Sequence, residues 1–311
     1  MNWARKKVLI TGGAGFIGSC LAERLLKENA DITILDNFSV GRKENIPDEI
    51  SKVITGDVCD WSILSQMKDF DYIFHFGAPS SSFLFRKDPK SCITSTIYGF
   101  INILELSKSI GVRKLIYPSS GTVYGNAPIP QSETDTPQPM TSYAVCKVAC
   151  EHLARIYSND VPSIGLRIFT GYGPQETHKK GFMSVPSQFI HAIIQGKRPI
   201  IYGDGTQSRD FIYIDDIVTA TIRAAEISFS GIVNVGSGRT VTFNQLVQKI
   251  NSLLNKNIKP IYVKSRPHYV QKTLADTKNM KKLLQICPIG LDEGLKKYLT
   301  FSFKNTMNIN V

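Results

Sequence analysis

Tyr143 and Lys147 stand four residues apart in the run Thr141-Ser142-Tyr143-Ala144-Val145-Cys146-Lys147, which Ala149, Leu153, Ala154 and Ile156 continue at helical spacing. Four residues is about one helical turn, so the phenol and the ammonium share a face of one helix. An ammonium beside a phenol favours the phenolate, and this makes Tyr143 a candidate general base. A serine-rich strand end, Ser119-Ser120, lies ahead of the pair. By itself a Tyr-x-x-x-Lys spacing is common on solvated helices. Its weight here comes from the elements around it.

The first of these is the sequence TGGAGFIG at 11–18, with the apolar run Val8-Leu9-Ile10 before it and the amphipathic stretch 21–26 after it. That order reads as strand, glycine turn, helix. The glycines permit a tight turn and let a pyrophosphate approach the helix N-terminus, where free N–H groups and the helix dipole favour an anion. Gly12, Gly15, Phe16, Ile17 and Gly18 are the expected contacts. A second short apolar strand, 31–36, ends in Asp36, close to the roughly 20-residue offset of a carboxylate that holds the adenosine ribose hydroxyls. Such a carboxylate repels a 2′-phosphate, so NAD is favoured over NADP, although Arg42 and Lys43 are near. Asn37, Asp57 and Val58 extend the expected cofactor wall. Phe76 and Ala78 add to it at the end of a strand over 72–76, where small residues let a cofactor approach. His75 in that strand reads as a core or strand-end histidine.

Strands are expected at 8–10, 31–36, 52–55, 72–76 and 114–117, with a long helix over 93–109. Their alternation with helices implies an α/β fold with a Rossmann-like, doubly wound parallel sheet. Ligands in such folds sit beyond the carboxyl ends of the strands. Residues 128–139 form a proline-rich loop, and beyond residue 184 the pattern becomes less regular. A smaller C-terminal α/β substrate domain is expected there.

Bulk properties bound the alternatives. The 311 residues suffice for a large core, and 42% hydrophobic with 20% charged residues is ordinary for a globular chain. The net charge of +11 is spread along the chain without an arginine-rich arm, so an anionic small substrate explains it better than nucleic acid. Six cysteines without a CxxC pair read as reduced thiols in a cytoplasmic protein. No HExxH or comparable spacing suggests a metal, and no apolar run approaches the roughly 18 residues of a membrane span.

Together these motifs resemble the extended short-chain dehydrogenase/reductases, in their NAD-dependent nucleotide-sugar epimerase/dehydratase branch. TGGAGFIG resembles the family's NAD fingerprint, Ser120 its catalytic Ser/Thr, and Tyr143 with Lys147 its YxxxK. The sequence LRIFTGYGP at 166–174 resembles the segment that closes over nicotinamide and substrate. The stretch 202–216 resembles the one whose arginine, here Arg209, contacts the substrate diphosphate, and Arg266 matches a second such arginine. The likeness covers about residues 6–300. It implies substrate contacts at Ser80, Ser120, Thr122, Thr170, Arg209 and Arg266. It further implies a homodimer formed through the helices at 93–109 and 143–158. The expected organisation is a cofactor domain of 1–170 plus about 211–235, the latter returning to the main sheet. A nucleotide-sugar domain of 171–210 plus 236–300 and a tail of 301–311 complete it.

Family 4,6-dehydratases carry an Asp-Glu pair directly after the catalytic threonine, and decarboxylases tend to carry Glu where Thr122 stands. Here Gly121 and Thr122 follow Ser120, and neither transfers a proton at neutral pH. Ser-Gly-Thr-Val-Tyr-Gly is most similar to the 4-epimerases of the UDP-glucose 4-epimerase type. The expectation is therefore a nucleotide-sugar 4-epimerase acting on a UDP-hexose or related sugar. A 4-ketoreductase on the same fold and a non-catalytic dinucleotide sensor are the alternatives. Three positions depart from the epimerase pattern: Thr96 in place of asparagine, Phe169-Thr170 in place of Phe-Asn, and Pro267-His268-Tyr269 in place of a Gly-Asp pair after the second arginine.

Overall fold

The computed structural model describes residues 2–50, 52–265 and 269–307. In chain order the elements are β1 (Lys7–Thr11), α1 (Phe16–Lys27), β2 (Asp31–Asp36), β3 (Lys52–Thr55), α2 (Trp61–Leu64), β4 (Tyr72–His75) and α3 (Ser82–Lys87). Next come α4 (Pro89–Ile110), β5 (Lys114–Ser120), α5 (Ser142–Ile156), β6 (Ser163–Ile168), β7 (Thr170–Tyr172) and α6 (Val185–Ile194). The chain ends with β8 (Ile200–Tyr202), β9 (Ser208–Tyr213), α7 (Ile214–Glu226), β10 (Gly231–Val235), β11 (Thr240–Thr242), α8 (Phe243–Leu253), β12 (Ile261–Val263) and α9 (Leu291–Met307). Each strand expected from the sequence is present. Helix α3 was not expected, because 82–87 is too short for a helical period to stand out.

Seven strands make one parallel sheet in the order β10-β6-β5-β4-β1-β2-β3. Strand order reverses between β1 and β4, where Thr11 pairs with His75. The crevice at that reversal is where such sheets bind ligands. Apolar side chains fill both faces. Val8, Ile10, Phe74 and Ile116 pack on the side of α1 and α7, and Leu9, Ile73, Leu115 and Tyr117 on the side of α4 and α5. Residue alternation along β1 thus serves two cores at once, which is why its sequence reads as continuously apolar.

The helices that carry site residues have clear stops and starts. The Asp88 carboxylate accepts from Ser91 N–H ahead of Pro89, and Gly111 ends α4 in the left-handed region. The Thr141 hydroxyl accepts from Ala144 N–H and fixes the start of α5 two residues before Tyr143.

After α5 the chain leaves the simple alternation. β9 lies in a three-stranded sheet, parallel to β7 and antiparallel to β11, and β8 pairs with β12. Residues 211–213 therefore differ from the expected return to the main sheet. Only β10 joins that sheet, beside β6. The reason is geometric: α7 packs against α1 and must cross one face of the main sheet before the chain can add a strand at its edge.

Candidate active site

A cavity of about 650 Å³ opens at the carboxyl ends of β1, β2, β4 and β5. One wall comes from the glycine turn and the ends of β2, β3 and β4: Gly12, Gly15, Phe16, Ile17 and Gly18, then Asp36 and Asn37, then Asp57 and Val58, then Phe76 and Ala78. Ser80, Ser120, Thr122, Tyr143, Lys147, Thr170 and Arg209 complete the sequence-derived set on the same cavity. Arg266 lies outside the described residues.

The glycine turn is closely fitted. Gly12 sits at φ +71°, and a Cβ there would come within 2.4 Å of the Phe76 carbonyl carbon. A Cβ on Gly18 would meet the Gly12 carbonyl oxygen at 2.2 Å. Asp36 is buried at the end of β2 and accepts from Ala14 N–H at 2.9 Å and Phe38 N–H at 2.8 Å. It is thus fixed against the turn that it faces.

Tyr143 and Lys147 are both buried on α5, with the Lys147 ammonium 5.7 Å from the Tyr143 ring centre and the Phe85 ring edge-on to Tyr143 at 5.5 Å. Ser120 ends β5. Its Oγ accepts from Thr122 N–H at 3.2 Å and from Thr122 O–H at 2.9 Å, so its own proton is directed elsewhere. A buried ion pair underlies this wall. Arg167 on β6 donates from two nitrogens to the Glu151 carboxylate on α5, at 2.8 and 2.7 Å, and Ser119 O–H donates to the same carboxylate at 2.5 Å. Arg167 also reaches the Tyr124 hydroxyl at 2.9 Å, which in turn donates to Asn234. The helix of Tyr143 is in this way bolted to the strand end of Ser120.

His75 is fully enclosed at the end of β4 and bonds Thr11 Oγ1 at 2.8 Å. Burial, with the Lys147 charge second, holds its pKa down at about 3, so it stays neutral and structural as its sequence position suggested.

On the far side, Arg209 is half-buried between the Phe243 and Tyr269 rings, 5.5 and 5.2 Å from their centres. Its guanidinium donates to the carbonyls of Ser208, Gln271 and Val270. Among the described residues no carboxylate pairs with it, and burial lowers its pKa from the ordinary guanidinium value. An anionic ligand group suits such a position.

The profile of the NAD dependent epimerase/dehydratase family matches residues 8–236. The chain belongs to this family. A putative UDP-glucose 4-epimerase of Methanocaldococcus jannaschii is 31% identical over 304 residues, covering 96% of this chain and 99% of that one. A UDP-N-acetyl-alpha-D-glucosaminuronate decarboxylase of Bacillus cytotoxicus is 33% identical over 317 residues, covering 94% and 96%. The solved UDP-N-acetylglucosamine 4-epimerase of Methanobrevibacter ruminantium, in complex with UDP-N-acetylmuramic acid, superposes with a TM-score of 0.92 at 32% identity, covering 97% and 99%.

As a member of the NAD dependent epimerase/dehydratase family the chain is an NAD-dependent enzyme, and its cavity fits that cofactor. Backbone closes the Cβ positions of Gly12 and Gly18 and so fixes the tight turn that leaves the start of α1 on the cavity, where a pyrophosphate can approach, and the buried Asp36 suits a ribose diol.

Several cavity residues were not foreseen. Glu176 is fully buried and accepts from Ser184 N–H at 2.8 Å, from Ser187 O–H at 2.5 Å and from Ser184 O–H. His178 and Lys179 follow it on a 3-10 stretch, 174–182, that also lines the cavity. Their only sequence signal is the cluster His178-Lys179-Lys180 just after Gly173-Pro174, since an irregular stretch carries no period to read. Among the described residues no His, Cys, Asp or Glu cluster could hold a metal, and no helix is long and apolar enough to cross a membrane.

Proposed function

We propose that this chain is a nucleotide-sugar 4-epimerase of the UDP-hexose kind. The observation that carries the reading is the joint placement of Ser120, Tyr143 and Lys147 on the cavity of the glycine turn, with no carboxylate at Gly121 or Thr122. Dehydratases of this family carry an Asp-Glu pair there, and decarboxylases tend to carry Glu where Thr122 stands. Thr122 instead spends its hydroxyl on Ser120.

In this reading Tyr143 takes the proton of the sugar 4-hydroxyl. Ser120 donates its hydrogen bond to the same oxygen, because both groups that face its Oγ from Thr122 are donors. Lys147 holds the nicotinamide ribose and keeps positive charge beside the phenol. Bound along the glycine wall by Gly12, Gly15, Phe16, Ile17, Gly18, Asp36, Asn37, Asp57, Val58, Phe76 and Ala78, NAD supplies a hydride acceptor that gives the hydride back. Arg209 and Arg266 hold the substrate diphosphate, while Ser80, Thr122 and Thr170 offer the sugar only short hydroxyls. The sugar is thereby free to turn over as its 4-keto form before Tyr143 returns the proton. Firm grip on the diphosphate and loose grip on the ring is the distribution of binding energy that such a reaction requires. Residues 171–210 and 236–300 serve as the nucleotide-sugar portion. Exposed Ile93 and Tyr98 on α4, and Val145 and Ile156 on α5, support pairing of two chains through these helices.

The test is product analysis by NMR on UDP-, GDP-, CDP- and dTDP-sugars with no cofactor added. Inversion at C4 without change in nicotinamide absorbance is the expected result. Conversion only when NAD(P)H is supplied, with its stoichiometric consumption, would instead identify a 4-ketoreductase.

A further inference from the structure

Residues 174–182 cross from α1 to α3. At one end Gln175 bonds Cys20 Sγ and, at 3.3 Å, Glu23, both on α1. At the other end the Phe182 ring stacks on Phe83 of α3 with centres 6.0 Å apart. Between them His178 and Lys179 face the glycine turn. The Lys179 ammonium lies 4.3 Å from the ring centre of Phe16, the first residue of α1. Asn45 donates to the Ala14 carbonyl inside the glycine turn at 2.8 Å and contacts His178 Nδ1 at 3.2 Å. The stretch is thus tied to the turn from outside at two points.

Two features of this contact are unfinished within the protein. His178 Nε2 is buried without a hydrogen-bond partner, on a ring that lines the cavity. Lys179 has one nearby carboxylate, Glu176 at 3.4 Å, and that carboxylate already accepts from Ser184 and Ser187. An unpartnered ring nitrogen and a cation are left beside a helix start whose own N–H groups favour an anion.

We propose that Lys179 and His178 hold the diphosphate of NAD from the side opposite the first turn of α1, and that residues 174–182 are the clasp that retains the cofactor between turnovers. Lys179 supplies the countercharge that the dipole of α1 lacks. His178 Nδ1 lies 3.2 Å from Asn45 Nδ2 and 3.1 Å from the Gln175 carbonyl; in the tautomer that accepts from Asn45, Nε2–H donates to a phosphate oxygen. The proposal rests on the NAD assignment and not on the sugar reaction, and its test reads binding alone.

The experiment compares Lys179→Met, Lys179→Arg and His178→Ala with the parent protein in titrations of NAD, ADP-ribose, adenosine and UDP, together with the rate at which the purified holoenzyme loses NAD on dilution. Lys179→Met is expected to weaken NAD and ADP-ribose equally, by about 10- to 100-fold, the range of a charge-assisted hydrogen bond. NAD release should quicken in step, adenosine and UDP binding should stay unchanged, and Lys179→Arg should recover most of the loss. His178→Ala should show the same ligand pattern at smaller size. Unchanged affinity for NAD and ADP-ribose in both variants overturns the proposal. So does an equal loss for adenosine, which points to general loosening, or a loss for UDP alone, which moves the pair to the substrate. If Lys179→Met does not fold, the ligand pattern of His178→Ala decides.

Discussion

On the cofactor side of the cavity a single methyl group at Gly12 or Gly18 would come within 2.4 or 2.2 Å of backbone, and Asp36 is pinned by two N–H groups. On the side proposed for the substrate the groups are the short hydroxyls of Ser80, Thr122 and Thr170 and the Arg209 guanidinium, itself held by the carbonyls of Ser208, Val270 and Gln271. The first wall has no room to adapt, because backbone meets backbone. The second offers few contacts beyond that guanidinium, which three carbonyls hold on β9. Under the proposed function the contrast means that rigidity is distributed by ligand: the dinucleotide is gripped along its length, the sugar only through what it is attached to. Tyr143, Lys147 and Ser120 stand at the seam, fixed to the rigid side.

Four changes break or sharpen this contrast, given from the largest effect down. Tyr143→Phe removes the proton carrier at the seam and should lower kcat by about 10³-fold, within the range of general acid–base catalysis, while NAD content is kept. A variant as active as the parent in the NMR assay would take the proton-carrier role away from Tyr143. Gly12→Ala forces a side chain into a left-handed, closed position and should cost about 1–3 kcal/mol of stability together with the bound NAD. Thermal unfolding and the 260 nm absorbance of the purified protein (about equal to that of a cofactor-free sample in the variant) check this. Arg209→Met acts on the opposite wall. It should raise the KM for the sugar nucleotide about 10-fold or more, as loss of a charged hydrogen bond does, and leave NAD titrations unmoved. A fall in NAD affinity of similar size would show that the two walls are not separate.

The smallest effect is a pH slope. The folded pKa of His75 is about 3 against an ordinary value of 6.5, so between these values the unfolded chain binds the extra proton. The stability that neutral His75 contributes is complete above about pH 6.5 and is lost as pH falls toward 3. At pH 6 the loss is about 1 kcal/mol. Urea unfolding at pH 7.5 and 6 should show a steeper fall for the parent than for His75→Gln. Equal slopes would mean that the ring is not held neutral by its enclosure.

How much of this was legible without coordinates follows from the range of the signals. The glycine turn, Asp36 and the Tyr143–Lys147 pair are short-range patterns whose spacing is set by a turn, a strand length and a helical repeat, so they could be read directly. The parallel sheet that β1 to β5 build followed from their alternation with helices, though not the order of its strands. Glu151 and Arg167 gave no such sign, since a buried ion pair between a helix and a strand is defined only by tertiary packing. Glu176, His178 and Lys179 lie on an irregular stretch, and their meaning depends on Phe16 and Asn45, more than 130 residues away. The position of β9 in a separate sheet was likewise hidden, because a strand's sequence does not name its neighbour.

The ion pair beneath the site constrains how this chain can change over generations. Arg167 and Glu151 never meet the ligand, yet exchanging either one alone strands a charge in the interior and frees the joint between β5 and α5. Substrate preference can drift through the hydroxyls and loops on the far wall one residue at a time, whereas these two positions can be replaced only as a couple.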